Sequence, residues 1–124
     1  MFTDNGRQHP NQENAGVTIV IVTYNSAQTI VACLQSVEQT LRTFDEVVLV
    51  DNGSTDQTLK LSRNLAKENN QIRLIANSTN RGYAAAANQG AASGTKPYIV
   101  FLNPDTIVTP KWLERLIHKD IKAI

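Results

Sequence analysis

The chain has little that would tie it to a membrane, to a polyanion or to an oxidising compartment. Among its 124 residues there is one cysteine, Cys33, so disulfides within the chain are excluded. Cys33 lies in an amphipathic segment, where a small buried side chain is the expected role rather than a reactive thiol. No stretch approaches the roughly 20 apolar residues of a membrane span, and the first residues lack the apolar core of a secretory signal. A cytoplasmic location is therefore expected, any work at a membrane being peripheral to it. Twelve Lys and Arg against eleven Asp and Glu, intermixed without long runs, give a formal net charge of +1, which makes nucleic acid an unexpected partner. Also missing are a G-x-x-x-x-G-K-[ST] loop and a G-x-G-x-x-G after the first apolar run, the usual phosphate cradles of ATPases, kinases and dinucleotide enzymes. A phosphoacceptor receiver would need clustered acids near the first strand and an aspartate closing the third, where this chain has Thr23-Tyr24-Asn25 and Asn77.

The length suits one domain with one core. Residues 1–15 hold almost no apolar content and read as a disordered tail, since they cannot bury enough surface to offset the entropy of ordering. His9 belongs to that tail and has no second ligand type nearby. From Gly16 the character changes: Val17, Ile19, Val20, Ile21 and Val22 form a β-branched run too short for a helix and too continuous for a half-exposed strand. Ile30, Val31, Leu34, Val37 and Leu41 then recur at helical spacing. The unit repeats with a strand at Val47–Val50 and a helix carrying Leu59, Leu61, Leu65 and Ala66. A third strand at Ile72–Ala76 and an Ala-rich helix follow, the helix stopping near Gly94 as a terminating glycine. A fourth strand at Tyr98–Leu102 precedes Thr109-Pro110, which matches a cap with proline at the first helical position, and a last helix with Trp112, Leu113, Leu116 and Ile117. Strands alternating with helices at this spacing predict an α/β fold over residues 16–124, an open parallel sheet with helices on both faces.

In such sheets ligands bind beyond the carboxyl ends of the strands, where helix N-termini and loop amides converge. Those ends read Thr23-Tyr24-Asn25, Asp51 through Asp56, Asn77 through Tyr83, and Asn103-Pro104-Asp105-Thr106. Asn25, Asn52, Ser54, Asp56 and Thr109 are also ordinary turn and cap formers, and for Ser54 and Asp56 that reading is preferred. Asp51 and Asp105 differ, because each closes an apolar strand where an unpaired carboxylate is costly unless it faces water, a ligand or a cation. Tyr24 divides evenly between core and a stacking platform, which for a base contributes roughly 1 to 3 kcal/mol. Arg81 beside Gly82 suits a diphosphate and equally a solvated loop charge. The small and amide residues Asn80, Gly82, Ala86, Asn88 and Gly90 allow close packing of the third helix. His118, opposite the apolar positions of the last helix, is given no role.

Taken in order, Val17-Thr18-Ile19-Val20-Ile21-Val22-Thr23-Tyr24-Asn25, Val50-Asp51-Asn52-Gly53-Ser54-Thr55-Asp56, Asn80-Arg81-Gly82-Tyr83 and Leu102-Asn103-Pro104-Asp105 form a pattern. In it the chain resembles glycosyltransferase family 2, from about Val17 to Leu116. The resemblance implies a Rossmann-like GT-A fold, of which this would be the N-terminal half. It also implies inverting sugar transfer from a nucleoside diphosphate sugar to a saccharide or lipid-linked acceptor, as in cell-surface polysaccharide synthesis. By the same resemblance Thr23, Tyr24, Asn25, Asp51, Asn52, Arg81, Gly82 and Asn103 would hold the nucleotide sugar, and Asp105 a divalent cation, Mn or Mg.

Two departures stand out. Asp51-Asn52 replaces an acidic pair, and Asn103-Pro104-Asp105 replaces Asp-x-Asp, so weaker metal binding is expected. These variants resemble the rhamnosyltransferase-type branch, which implies a dTDP or UDP donor. The general base that would deprotonate the acceptor is expected beyond Ile124, with the acceptor-binding half. The chain would then bind donor only, and an exposed sheet edge would favour self-association. Two other readings compete: a non-catalytic nucleotide-binding or assembly module using the same strand ends, and a structural α/β domain without ligand.

Overall fold

In the computed structural model, which describes residues 2–4 and 15–123, the apolar runs are strands and the periodic segments are helices. In chain order these are β1 (Phe2–Asp4), β2 (Val17–Thr23), α1 (Ile30–Glu38), β3 (Glu46–Asn52), α2 (Thr58–Glu68), β4 (Ile72–Asn77), α3 (Tyr83–Ser93), β5 (Tyr98–Leu102) and α4 (Trp112–Ala123). The sheet order is β1-β5-β2-β3-β4. Strands β2 to β5 are mutually parallel, and β1 runs antiparallel to β5. This is the α/β, GT-A-like architecture expected, with a four-stranded parallel sheet.

The period of two along each strand divides the core. Ile19, Ile21, Val47, Leu49 and Val100 face one side and pack with Ile30, Leu34 and Val37 of α1, Leu113 and Ile117 of α4, and the apolar flank of α2. Val20, Val22, Val48, Val50 and Ile99 face the other side and meet Ala86 and Ala87 of α3. Because both faces are covered, all seven residues of β2 and of β3 are buried, which explains runs without polar alternation. Fully buried side chains such as Ile19, Ile21, Ile30 and Leu49 each contribute about 1.5–3 kcal/mol. Right-handed crossovers account for the helix placement: β2-α1-β3 and β3-α2-β4 step outward on one face, and the return to β5 carries α3 over the opposite face. Strand order therefore reverses between β2 and β5.

Close approach explains Gly90. A Cβ there would lie 2.5 Å from Val20 Cγ1 and 3.1 Å from Val50 Cγ2, so α3 sits on the sheet at a distance only glycine permits. Ala86 is fully buried beside it, as the small-residue pattern implies, whereas Asn80, Gly82 and Asn88 are exposed.

Three expectations are corrected. Part of the supposed tail is ordered: Phe2–Asp4 hydrogen-bonds along the open edge of β5, and Ala15 is buried, its carbonyl accepting from Arg42 Nη2 at 3.2 Å. A free strand edge supplies backbone partners that composition does not count. The remainder of the tail, including His9, lies outside the described residues. Gly94 ends α3 with φ −70°, not in the left-handed region. Its need for glycine is the 2.8 Å approach a Cβ would make to Thr18 Cγ2. Pro110 is not the first helical residue, because Lys111 turns the chain at φ +65° and α4 starts at Trp112.

Candidate functional site

The carboxyl ends of β2, β3, β4 and β5 lie on one edge of the sheet, as parallel pairing requires, with Thr23 beside Asp51 and Asn52 beside Asn77. Four loops leave that edge, and their side chains sort into a buried set that braces the loops and an exposed set that faces outward.

Thr23, Asp51 and Asn52 form the core of the buried set, at 0%, 0% and 2% exposure. Asp51 Oδ1 accepts from Thr23 Oγ1 at 3.1 Å and from Ser54 Oγ at 2.7 Å, and Oδ2 accepts from Ser54 N at 3.0 Å. The carboxylate that closes an apolar strand is thus satisfied by its own turn, where water, a ligand or a cation was expected. A buried carboxylate needs donors, and the Ser54 turn and the Thr23 hydroxyl supply them, so Thr23, Asp51 and Asn52 are enclosed by the loops they join. Asn52 is committed similarly, with Nδ2 donating to Asn80 Oδ1 at 3.0 Å and Gly82 O at 3.3 Å, and Oδ1 accepting from Arg81 N at 3.0 Å and Asn77 Nδ2 at 3.3 Å. Asn77 and Gln89 complete this amide network with reciprocal bonds of 2.8 and 2.9 Å.

Asn25 is exposed, yet it too is a brace. With φ +49° it turns the chain out of β2. Its Oδ1 accepts from Thr55 N at 2.8 Å, Thr55 Oγ1 at 3.3 Å and Asp56 N at 3.3 Å, and its own N–H donates to Ser54 Oγ at 2.9 Å. Ser54 and Asp56 behave as the turn chemistry implied. The Thr58 hydroxyl and the Thr58 N–H, with a further N–H from Ala27, hold the Asp56 carboxyl below the usual carboxylate range.

The outward set is Tyr24, Arg81, Gly82, Asn103 and Asp105. Tyr24 is 47% exposed, so the core alternative falls away. The Arg81 and Asp105 side chains are exposed and have no hydrogen-bond or ion-pair partner among the described residues. Gly82 has φ +83° with open space where a Cβ would be, so backbone conformation, not crowding, calls for glycine at the start of α3.

A cleft of about 630 Å³ opens at the reversal of strand order. Asn25, Ser26, Gln28 and Thr29 from the β2–α1 loop line it, with Asp56, and with Asn103, Pro104 and Asp105 after β5. It gathers Asn25, Asn103 and Asp105 but not Tyr24, Asp51, Asn52, Arg81 or Gly82. Sequence reasoning missed Ser26, Gln28 and Thr29, and it read Asp56 only as a turn former; their type and spacing carry no signal apart from position after a strand. Beneath the Asn103–Thr106 turn lies Cys33, buried as expected, its Sγ 3.7 Å from Asn103 O. Burial pushes the thiol up to about 11, the Asp105 charge adds to this, and the Thr106 N–H opposes it.

No three His, Cys, Asp or Glu among the described residues are grouped to hold a metal ion. Asp105 stands as a single open carboxylate, which fits a hard cation whose remaining ligands are diphosphate oxygens and water, the usual condition of Mg²⁺ at phosphate sites. No helix among the described residues is long and apolar enough to cross a membrane.

The chain is similar to known proteins. The model of "Glycosyl transferase family 2" matches residues 18–122. An uncharacterised glycosyltransferase of Haemophilus influenzae is 30% identical over 106 residues, covering 82% of this chain and 41% of the relative. The poly-beta-1,6-N-acetyl-D-glucosamine synthase of Staphylococcus aureus is 34% identical over 96 residues, covering 77% of this chain and 23% of the synthase. Among solved structures, the mannosyltransferase PcManGT from Pyrobaculum calidifontis, in complex with GDP-Man and Mn²⁺, superposes with TM-score 0.72 at 28% identity, over 82% of this chain and 30% of that one. S. aureus TarS 1-349 in complex with UDP-GlcNAc shares the fold, with TM-score 0.76 at 24% identity over 86% and 31% of the two chains. The chain thus spans less than half the length of these relatives. Strand order, the loops that converge on one sheet edge and the family match over 18–122 agree: the chain belongs to glycosyl transferase family 2.

Proposed function

We propose that this chain is the donor-binding part of an enzyme that moves a sugar from a nucleoside diphosphate to a saccharide or lipid-linked acceptor, with inversion at the anomeric carbon. Family membership supports the reaction class. The GDP-Man and Mn²⁺ of the mannosyltransferase, and the polymer named for the S. aureus synthase, support a nucleotide-sugar donor and a polysaccharide context. The observation that carries the reading is Asp105, an open carboxylate on the cleft where strand order reverses.

In this reading Tyr24 offers a face for the base, and Arg81 and the Gly82 amide face the diphosphate. Thr23, Asp51, Asn52 and Asn25 act by holding the loops in place. As the sugar leaves, the diphosphate gains negative charge, and a divalent cation held by Asp105 would stabilise it. The Asp51-Asn52-Gly53-Ser54 and Asn103-Pro104-Asp105 variants favour a UDP or dTDP donor of the rhamnosyltransferase type. Activation of the acceptor hydroxyl is assigned to no residue of this chain.

Calorimetric titration with UDP, dTDP and GDP, each with and without Mn²⁺, tests the proposal. Mn²⁺ should tighten one of them by about tenfold or more, equivalent to about 1.4 kcal/mol, and Asp105→Asn should abolish that gain. If none of the three binds, or if metal acts equally on wild type and Asp105→Asn, the donor reading fails. Metal-independent binding of a nucleotide would favour the non-catalytic module instead.

A further inference from the structure

We propose that Asn52 is a positioning residue for the diphosphate, acting through Arg81, and that its amide is required there because it holds the Asn77–Gly82 loop. The inference rests on the donor-binding reading of the same sheet edge. Residues 78–82 are all exposed, and the main brace that the loop receives from the sheet is the Asn52 side chain. That side chain is 2% exposed and makes four hydrogen bonds, to Asn77, Asn80, Arg81 and Gly82. Its orientation is unambiguous. The Arg81 N–H can only donate, so it faces Oδ1, and the Gly82 carbonyl can only accept, so it faces Nδ2.

An aspartate at 52 would lose both donors and set a carboxylate oxygen against Asn80 Oδ1 and Gly82 O. The neighbouring residue obeys the same constraint: Gly53 sits at φ +82°, and a Cβ there would lie 2.7 Å from Thr79 C and 2.8 Å from Asn80 N. Asn80 extends the brace, since its Oδ1 also accepts from Gly82 N at 2.7 Å. The loop therefore leaves the sheet with the backbone on both sides of Arg81 pinned and the guanidinium without a partner among the described residues. A cation held in this way binds an anion with less ordering cost than one on a free loop. The asparagine in place of the second acid thus has a cause on the protein side.

The test uses whichever of UDP, dTDP and GDP binds, against its parent nucleoside, in EDTA so that metal does not contribute. Arg81→Gln should weaken the diphosphate roughly tenfold or more and leave the nucleoside within about twofold, the loss of one charge-assisted contact. Asn52→Ala should reproduce most of that selective loss and should add less than about twofold in the Arg81→Gln background. Asn80→Ala, at an exposed position, removes one strut without opening the core and should give a smaller loss of the same kind, so the idea survives a failure of Asn52→Ala to fold. Equal weakening of nucleotide and nucleoside by the Asn52 and Asn80 variants, a full additive loss in the Arg81→Gln background, or an Arg81→Gln protein that binds like wild type would each overturn the inference while leaving donor binding intact. Failure of wild type to bind any of the three nucleotides would remove the donor reading itself, and this inference with it.

Discussion

Glu46 offers a perturbation whose size can be worked out from its contacts. It opens β3 at the edge of the sheet opposite the candidate site and is 7% exposed. Oε2 accepts from Thr18 Oγ1 and Thr95 N, each at 2.6 Å, and Oε1 accepts from Thr95 Oγ1 at 3.0 Å and from Arg73 Nη1 at 2.7 Å. Burial alone would raise its pKa. The bonds from Thr18, Thr95 and Arg73 outweigh it and hold the carboxyl at about 2 instead of its ordinary 4.5.

A group whose folded pKa is depressed stabilises the fold above its unfolded pKa and loses that contribution as pH falls toward the folded value. Here the loss runs from about pH 4.5 down to about 2 and amounts to roughly 3 kcal/mol, a substantial part of the 5–15 kcal/mol typical of a domain. Arg73 is 42% exposed, so Thr18 and Thr95 carry most of the effect in salt. Urea unfolding followed by the single tryptophan, Trp112, whose Nε1 donates to Thr40 Oγ1 at 2.8 Å, reports the tertiary fold directly. At neutral pH Glu46→Gln should be less stable than wild type by about 2–3 kcal/mol, and the gap should close as pH approaches 2. A gap that stays constant from neutral pH to about 2.5 would show that the carboxylate is not held by these bonds, and the reasoning would be wrong.

Gly90→Ala should destabilise by about 1–2 kcal/mol in denaturant titration, because overpacking against Val20 and Val50 exceeds the helix-propensity gain of about 1 kcal/mol; a net stabilisation would refute the close contact. The Cys33 thiol, raised from 9.0 to about 11, should react with an aromatic disulfide at pH 8 roughly a hundredfold more slowly in the native chain than in urea, and rapid native labelling would contradict its burial. Because the unfolded thiol ionises first, Cys33 should also withdraw stability as pH rises from about 9 toward 11, a decline that Cys33→Ala should lack.

What could be read from the residues in order follows from periodicity. The β-branched runs at Val17–Val22 and Val47–Val50 have no polar alternation because both faces are covered, and apolar spacing in α1 and α4 marks the sides that meet the sheet. Chain order and right-handed crossover then place Thr23, Asp51, Asn77 and Asn103 toward one edge. The motif pattern legible there was enough to reach the family, which the match over residues 18–122 establishes.

Which of those polar residues face outward was not legible, because a side chain's hydrogen-bond partners come from other loops. Asp51 and Asp105 look alike as acids that close apolar strands, yet Asp51 is enclosed by Thr23 and Ser54 while Asp105 stands open on the cleft. Asn25 and Asn52 read as turn formers or ligand contacts, and their partners, about 30 residues away, make them braces between loops. The ordering of Phe2–Asp4 depends in the same way on the free edge of β5, nearly a hundred residues along the chain. Local pattern determined the elements and their order. Only the folded chain, by bringing distant donors and acceptors within hydrogen-bond distance of each other, decided which carboxylate is enclosed and which stands open.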